Sequence, residues 1–181
     1  MVRNLEALAL ARETHLGVLT SAQLNELGFT DSAIRANIDG GRWQALHPRV
    51  YLLNTGAVAW PVRARAALAY AGPGAVLSHA SSAYVRGWSG EPPDVIDVTV
   101  PYSRRARHQP TVRVHRSRSY LHIVQSCAQP PRTTAARTVV DLLRACQSED
   151  EALAFVLEAM RRKHADAASL WRELVAERRH R

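Results

Sequence analysis

The chain has 181 residues, of which 46% are hydrophobic and 22% are charged, with nine glycines and nine prolines. This composition is typical of a globular protein and excludes collagen-like, low-complexity and wholly disordered chains. The longest apolar runs are far shorter than the ~18 residues that cross a bilayer, and the N-terminus lacks a signal-peptide pattern. We therefore expect a cytoplasmic protein that makes no contact with a membrane.

The formal net charge of +8 is concentrated in one segment. Residues 101–137 contain eight arginines and no acidic residue, whereas positive and negative charges balance over the rest of the chain. A local excess of this kind is typical of a surface that binds a polyanion, because neutralised phosphates release their counterions. We define the basic segment by the six arginines expected to contact DNA or a protein partner: Arg104, Arg105, Arg107, Arg113, Arg116 and Arg118.

Three helices are predicted near the N-terminus. An apolar stripe over residues 2–15 indicates the first helix. The pattern Thr20–Gln23 is a capping box, in which the side chains at both ends satisfy backbone N–H groups, and it begins a second, short helix. A further start signal at residues 30–32 begins a third helix that ends at Asp39.

A β-hairpin is predicted after these helices. Residues 42–46 and 50–53 have the composition of strands, and residues 47–49 form the turn between them. Three helices followed by a hairpin are the order of elements in a winged helix-turn-helix, which we assign to residues 1–57. A domain of this kind places one helix in the major groove of DNA.

Two groups of residues in this first domain are candidates for DNA contact. The outward side chains of the third helix are expected to contact base edges: Ser32, Arg35 and Ala36. The cations of the hairpin and its base are expected to hold phosphates: Arg42, His47 and Arg49. Residues 1–60 have five arginines and five acidic residues, so a protein-interaction module is the alternative for this domain.

Residues 58–181 predict a mixed α/β domain, which makes the fold class of the whole chain α+β. Residues 96–100 and 112–115 alternate apolar with polar or basic side chains, as expected of two strands with one packed face. Apolar residues at helical spacing then indicate terminal helices over residues 139–146, 153–160 and 170–175. The second domain is therefore expected to hold a small sheet followed by helices.

No catalytic, metal or cofactor site is expected from the sequence. Ser78 and His79 are adjacent but lack the Gly-x-Ser-x-Gly elbow of a serine nucleophile, so we interpret Ser78 as a helix cap. Three further histidines lie seven residues apart, a wider spacing than zinc pairs usually show: His108, His115 and His122. Asp141 is placed to pair with an arginine of its own helix, Arg137 or Arg144.

Several motifs of the chain occur together in a known family. In the first domain they are Gly17–Leu24, Leu27–Gly28, Ile34–Arg35, Gly41–Trp43, Leu46 and Val50–Tyr51. In the second domain they are Gly72–His79, Ile96–Pro101, Val114–Ser117 and Pro131–Leu142. With these motifs the sequence resembles the AbiEi-type antitoxins of bacterial type IV toxin–antitoxin systems over most of its length.

The resemblance implies a winged-helix domain that represses its own operon and a C-terminal domain that counteracts a nucleotidyltransferase-like toxin. The expected partners are double-stranded DNA of its own operator and that toxin, with a homodimer on DNA as one possible arrangement. The sequence departs from the family at Arg49, where a glycine is usual before the Val-Tyr pair of the wing. This departure implies an altered wing turn and an added cation.

We therefore expect a non-enzymatic DNA-binding antitoxin and transcriptional autorepressor without a cofactor. One alternative is a nuclease-like, nucleic-acid-processing enzyme, in which Asp97 or Asp141 would act. The other alternative is a winged-helix protein-interaction adaptor. Carboxylate–metal nucleases need clustered acids to hold Mg²⁺, and the acids of this sequence are scattered over predicted helix exteriors.

Overall fold

The computed structural model describes residues 5–125 and 127–178. The chain divides into two compact units, residues 1–73 and residues 74–181. The expected α+β class, with small sheets and terminal helices, is confirmed. In the part of the chain that the structure describes, each helix is too short or too polar to cross a lipid bilayer.

The first unit combines helices with a three-stranded antiparallel sheet. Its elements are α1 (Leu5–Thr14), β1 (Val18–Thr20), α2 (Ser21–Glu26), α3 (Asp31–Asp39), β2 (Gln44–His47), β3 (Val50–Leu52) and α4 (Trp60–Ala71). The strands lie in the order β1-β3-β2, so the short strand before α2 pairs with the second strand of the hairpin.

Side-chain caps begin α2 and α3 where the sequence predicts them. The Thr20 hydroxyl accepts a hydrogen bond from the Gln23 amide N–H at 3.3 Å, and Oε1 of Gln23 accepts one from the Thr20 N–H at 2.9 Å. The predicted capping box is therefore present. The Thr30 hydroxyl accepts from the Ala33 N–H at 3.2 Å, and α3 ends at Asp39 as predicted.

Two apolar clusters hold the first unit together. One surrounds Leu24 and Ile34 of the two short helices and includes Trp43. The other packs the sheet against α4, with Ala66 among the buried valines and leucine of β1 and β3. Helix α4 thus belongs to the first unit, and the sequence-based boundary after residue 57 falls ahead of it.

The second unit is built on a five-stranded sheet with the order β6-β5-β4-β8-β7. Its elements are β4 (Val76–Leu77), α5 (His79–Val85), β5 (Ile96–Pro101), β6 (Val112–Ser117), α6 (Tyr120–Ile123), β7 (Val124–Gln125), β8 (Arg132–Thr133), α7 (Ala135–Leu143), α8 (Glu149–Arg161) and α9 (Ala167–Arg178). Strands β5 and β6 are parallel, as are β4 and β8, whereas β4–β5 and β7–β8 are antiparallel.

The register of β5 and β6 collects polar side chains on one sheet face. Asp97 lies opposite Arg113 and Thr99 lies opposite His115, and paired residues of neighbouring strands point to the same side. The predicted alternation of faces is therefore present, but the expectation of a single packed face is right only for β6, because every residue of β5 from Ile96 to Val100 is buried. Helix α5 packs against β5, and Asp97 and Thr99 are each only 4% exposed. The polar face is consequently part of the interior beside β5.

Candidate functional site

Helix α3 presents a polar face at the surface of the first unit. The residues expected to contact bases are all exposed: Ser32, Arg35 and Ala36. The opposite face of the helix packs inward through Ile34, which is 3% exposed. The Ser32 hydroxyl lies 2.9 Å from the hydroxyl of Thr30, the residue that caps the helix. The expected contact residues therefore share one accessible surface, on which Arg35 is the long cationic side chain.

A cleft with a volume of about 400 Å³ lies between α3 and the turn of the β2–β3 hairpin. Arg35 lines it from the helix and Arg49 lines it from the turn, with Asp31 and Asp39 also at its edge. The carbonyl oxygen of Arg49 accepts a hydrogen bond from the Ser21 N–H at 2.9 Å. This bond fixes the hairpin turn to the first residue of α2, and so sets the position of Arg49 relative to the helices.

The turn of the β2–β3 hairpin contains one residue in the left-handed conformation. Arg49 has φ +63° and directly follows Pro48. Proline followed by a residue with positive φ is the pattern of a type II turn, in which glycine is favoured at the second position. Arg49 thus adopts a glycine-like conformation and places a cation at the tip of the hairpin.

Arg42 binds the end of α3. Its Nε donates to Oδ1 of Asn37 at 2.8 Å, and one of its terminal N–H groups donates to the Ala36 carbonyl oxygen at 3.0 Å. The Ala36 carbonyl oxygen also accepts from the Gly40 N–H at 3.1 Å. Because the C-terminal end of a helix carries partial negative charge, a guanidinium at this position stabilises it. Arg42 is exposed, but its hydrogen-bonding groups serve α3.

His47 is half-buried beside α4. Its ring lies 5.4 Å from the ring of Tyr70, between centroids, and the two planes are inclined by 43°. Burial lowers the pKa of His47 below its ordinary value of 6.5. Burial therefore disfavours the protonated form of this imidazole.

The second unit contains a cavity with a volume of about 580 Å³. Its lining is rich in cations and imidazoles: Arg116, Arg118, Arg137, Arg144, His79, His115 and His122. Glu173 of α9 also contributes to the wall, and so do hydroxyl groups of Thr99, Ser117 and Ser119. The cavity can therefore receive an anion together with hydrogen-bonding groups.

Three ionisable residues meet beside this cavity, and we call them the histidine–aspartate cluster: His79, Asp97 and His115. Nε2 of His115 lies 2.9 Å from Oδ1 of Asp97. The rings of the two histidines are stacked, with centroids 3.8 Å apart. One potential ligand atom from each member lies within 4.8 Å of those of the other two. A guanidinium nitrogen of Arg113 is 3.7 Å from the same Asp97 oxygen.

His79 is held in an unusual conformation at the start of α5. Its φ is +47°, a left-handed value that residues other than glycine seldom adopt. Its Nδ1 lies 3.1 Å from the Ser78 hydroxyl. Ser78 stands at the N-cap position of α5, as predicted. Its hydroxyl, however, accepts no capping hydrogen bond from the residues of that helix, all of which the structure describes.

Asp141 and Arg137 support His79 from α7. Oδ2 of Asp141 is 3.7 Å from Nδ1 of His79, and Nε of Arg137 is 2.7 Å from the other Asp141 oxygen. The predicted pairing of Asp141 with Arg137 is confirmed. Arg137 also reaches Oε1 of Glu173 on α9 at 3.2 Å. An ion-pair chain thus connects the terminal helices to the histidine–aspartate cluster.

The basic segment divides into two parts. Exposed arginines stand on the connection between β5 and β6: Arg104, Arg105 and Arg107. The others belong to β6 or follow it, and two of them lie over the ring of Tyr102, with Arg116 at 5.2 Å and Arg118 at 4.5 Å from its centroid. Arg116 and Arg118 also line the cavity, whereas Arg113 faces Asp97.

Sequence reasoning set His79 aside and grouped His115 with two histidines that the structure separates from the cluster. His108 uses Nδ1 to accept a hydrogen bond from the Val114 N–H at 3.2 Å, and His122 lies in the cavity wall. The signal for the cluster was the alternation of polar side chains on β5 and β6. That pattern places Asp97 and His115 on one face, but it contains no information about α5, which supplies His79.

Comparisons with known proteins bear on the fold. No protein-family model matches the chain, and no curated protein matches it significantly. The crystal structure of the RV2827C protein from Mycobacterium tuberculosis is similar, with a TM-score of 0.60 and 18% sequence identity. The match covers 93% of this chain and 70% of that chain. At this identity the similarity shows a shared fold.

Proposed function

We propose that the first unit is a winged helix-turn-helix domain that binds double-stranded DNA, with α3 as its recognition helix. Support comes from the order of its elements, in which α2 and α3 are followed by the β2–β3 hairpin. A recognition helix lies in the major groove with its exposed side chains against base edges. The hairpin would then act as the wing, beside the DNA backbone.

The observation that carries this proposal is the position of Arg35 and Arg49 on the same cleft. An arginine on an exposed recognition helix can donate two hydrogen bonds to a guanine, and an arginine on the wing can neutralise a phosphate. Ala36 is suited to contact with a thymine methyl group, and Ser32 can bond to several bases. Arg42 supports the recognition helix, because it holds the Ala36 carbonyl and the Asn37 side chain.

We further propose that the chain is an antitoxin of the AbiEi type, which represses its own operon and counteracts a nucleotidyltransferase-like toxin. This part of the proposal rests on the sequence resemblance. The second unit would then meet the toxin, and its basic segment would contact either the toxin or flanking DNA. In this proposal DNA binding and repression require no catalytic step from the chain.

Fluorescence anisotropy with a labelled fragment of the operon's upstream region tests DNA binding. We expect Arg35→Ala to weaken operator binding by about 1–3 kcal/mol and to reduce discrimination against a scrambled fragment. Arg49→Ala should weaken binding to both fragments alike and lower the slope of log affinity against log salt by ~0.9. Arg172→Ala, which removes an exposed arginine of α9, is the matched control.

Two outcomes of that experiment would contradict the proposal that the chain is a DNA-binding regulator. If no upstream fragment binds at low salt, the first unit is a protein-interaction adaptor. If Arg35→Ala binds operator and scrambled DNA as the unaltered protein does, α3 is not the recognition helix. A toxin-rescue assay in cells tests the antitoxin function separately, because it needs no knowledge of the operator.

A nucleic-acid-processing enzyme is the second candidate, and one observation favours it. The His115–Asp97 pair, a common acid–base arrangement, lies beside a cavity lined by arginines that could hold a phosphodiester. Incubation of plasmid DNA with the protein and Mg²⁺ or Mn²⁺ tests this function. Cleavage that is lost in Asp97→Asn and retained in the exposed control Asp150→Asn would support it, and intact plasmid would contradict it.

A further inference from the structure

We propose that the histidine–aspartate cluster of the second unit binds a divalent transition-metal ion of the zinc class through His79, Asp97 and His115. The proposal is independent of DNA binding by the first unit. It concerns occupancy of a site, and it holds whether the ion stabilises the unit or takes part in chemistry.

The spacing of the ligand atoms is close to that of a metal site. Two ligands of a tetrahedral zinc ion, each bonded at ~2.0–2.1 Å, lie about 3.3 Å apart. Nε2 of His115 and Oδ1 of Asp97 are 2.9 Å apart, and the ligand atom of His79 lies within 4.8 Å of both. To complete a three-ligand arrangement, His79 would have to turn out of its stack with His115, because an imidazole binds a metal in the plane of its ring and the two rings now lie 3.8 Å apart with planes inclined by 17°.

The residues around the ligands hold them as an outer shell does in known metal sites. A metal-bound histidine usually directs its second ring nitrogen to a carboxylate or another acceptor. Nδ1 of His79 lies 3.1 Å from the Ser78 hydroxyl and 3.7 Å from Asp141, which Arg137 holds in turn. Because Nδ1 makes these contacts, we assign Nε2 of His79 to the ion.

Hydrogen bonds with Ser78 and Ser81, at the start of α5, hold the backbone of Asp97 in place. The Asp97 N–H donates to the buried Ser81 hydroxyl at 2.9 Å, and the Ser78 N–H donates to the Asp97 carbonyl oxygen at 3.0 Å. These bonds couple the position of Asp97 on β5 to the position of His79 on α5. The two ligands are thus held in register before an ion arrives.

The charges around the cluster are compatible with a cation. Three carboxylates lie in the surrounding network: Asp97, Asp141 and Glu173. Two guanidinium groups, those of Arg113 and Arg137, are paired with these carboxylates at 3.7 Å or less. At the ligands the carboxylates outnumber the guanidinium groups that pair with them, whereas the adjoining cavity adds Arg116, Arg118 and Arg144. An anion bound beside the ion would balance this positive charge.

The cavity beside the cluster gives the ion an accessible side. Both histidines line its wall, and three protein ligands leave at least one position of a tetrahedral ion open. Arg116 and Arg118 line the same cavity and could hold an anion against that position. The arrangement fits a phosphate or carboxylate as the additional ligand.

Metal titration of the full chain tests this proposal. Protein stripped with EDTA and dialysed is titrated with Co²⁺, whose visible absorption reports its coordination, and Zn²⁺ is then added in competition. We expect one ion per chain, displacement by Zn²⁺, and a tenfold or greater loss of affinity in each of three variants: His79→Gln, Asp97→Asn and His115→Gln. The control His122→Gln, in the same cavity wall, should bind as the unaltered protein does.

Two further measurements keep the proposal falsifiable. Because Asp97→Asn could impair folding, circular dichroism of each variant is compared with that of the unaltered protein. Ser78→Ala removes the hydroxyl beside Nδ1 of His79 without removing a buried charge, and it should weaken binding ~10–100-fold. The proposal would be overturned if well-folded protein did not bind one ion per chain. Equal affinity in His79→Gln and His122→Gln, or a cobalt–thiolate absorption band, would also overturn it, since the ion would then lie elsewhere.

Discussion

The imidazole rings of His79 and His115 lie face to face, with centroids 3.8 Å apart and planes inclined by 17°. The pKa of His79 is lowered to about 3, mainly by burial and further by the neighbouring His115, Arg137 and Arg113, while Asp97 opposes the change. Two protonated rings at this distance would repel each other. The stack is therefore a neutral His79 against a His115 that is hydrogen-bonded to Asp97.

Acid should destabilise the second unit through His79. Between about pH 6.5 and pH 3 the unfolded chain binds a proton at this residue and the folded chain does not, so stability falls as the pH decreases. Above about pH 6.5 His79 is mostly neutral in both states, and its titration no longer lowers the stability. We expect His79→Gln to reduce this acid sensitivity and the exposed control His122→Gln to preserve it, as measured by urea unfolding in EDTA at a series of pH values. Parallel pH profiles for His79→Gln and the unaltered protein would contradict this assignment.

Replacing Arg42 should lower the stability of the first unit and leave the salt dependence of its DNA binding unchanged. Arg42→Ala removes two hydrogen bonds at the end of α3, and we expect the free energy of unfolding to fall by about 1 kcal/mol. The salt dependence of DNA binding should stay within error of that of the unaltered protein. A decrease of ~0.9 in that slope would instead show that Arg42 contacts a phosphate.

Arg49→Gly should separate the conformation of the hairpin turn from its charge. Glycine adopts positive φ without steric cost, so we expect the substitution to stabilise the first unit by up to about 1 kcal/mol. The same change removes a cation and should weaken DNA binding. Thermal unfolding and anisotropy measure the two effects, and Arg49→Ala is the comparison that loses the charge and keeps the strain. A stability gain in Arg49→Ala as large as in Arg49→Gly would exclude backbone strain as the cause.

The salt dependence of DNA binding shows whether the connection between β5 and β6 contacts DNA or a protein partner. A triple variant replaces Arg104, Arg105 and Arg107 with alanine, and each lost contact to B-DNA should lower the salt slope by up to ~0.9. The matched control removes the same charge from the terminal helices: Arg161, Arg162 and Arg172. If both triple variants retain the original slope, the connection does not touch DNA and is assigned to the partner.

Loss of the Arg137 guanidinium should strongly destabilise the second unit. Arg137→Met leaves Asp141, which is 2% exposed, without its paired charge, and removing one partner of a buried ion pair typically costs about 3–5 kcal/mol. Urea unfolding measures this effect. The double variant Arg137→Met, Asp141→Asn should recover part of the loss, because the buried charge of Asp141 is then removed and only Glu173 still lacks its partner. Failure of the second substitution to restore any stability would show that packing, and not charge, is the main contribution of Arg137.

Local signals account for the parts of the fold that the sequence predicts well. The helix starts at Thr20 and Thr30 depend on hydrogen bonds within three residues, and both caps are present. Strand β5 likewise shows its alternation in five consecutive residues. By contrast, β1 is a three-residue strand that exists because it pairs with β3, and such a distant pairing leaves no local pattern.

The two candidate sites, the surface of α3 and the histidine–aspartate cluster, also differ in how well the sequence predicts them. The exposure of Arg35 follows from helical spacing against the buried Ile34, so the sequence suffices to place it on the surface. The histidine–aspartate cluster could not be predicted, because His79 reaches it through the packing of α5 on β5. Its left-handed backbone and the unexpected role of Ser78 are consequences of that packing, which no spacing in the sequence encodes.

The parallel pairing of β5 with β6 also has a consequence for how the second unit matures. A nascent chain has no cluster until β6 has been synthesised and has found its neighbour, because His115 is the last of the three residues to appear and is positioned by that pairing. Short peptides around any one member would lack the other two. Metal binding at the cluster would therefore require completed tertiary structure, and the ion would bind after the second unit has folded.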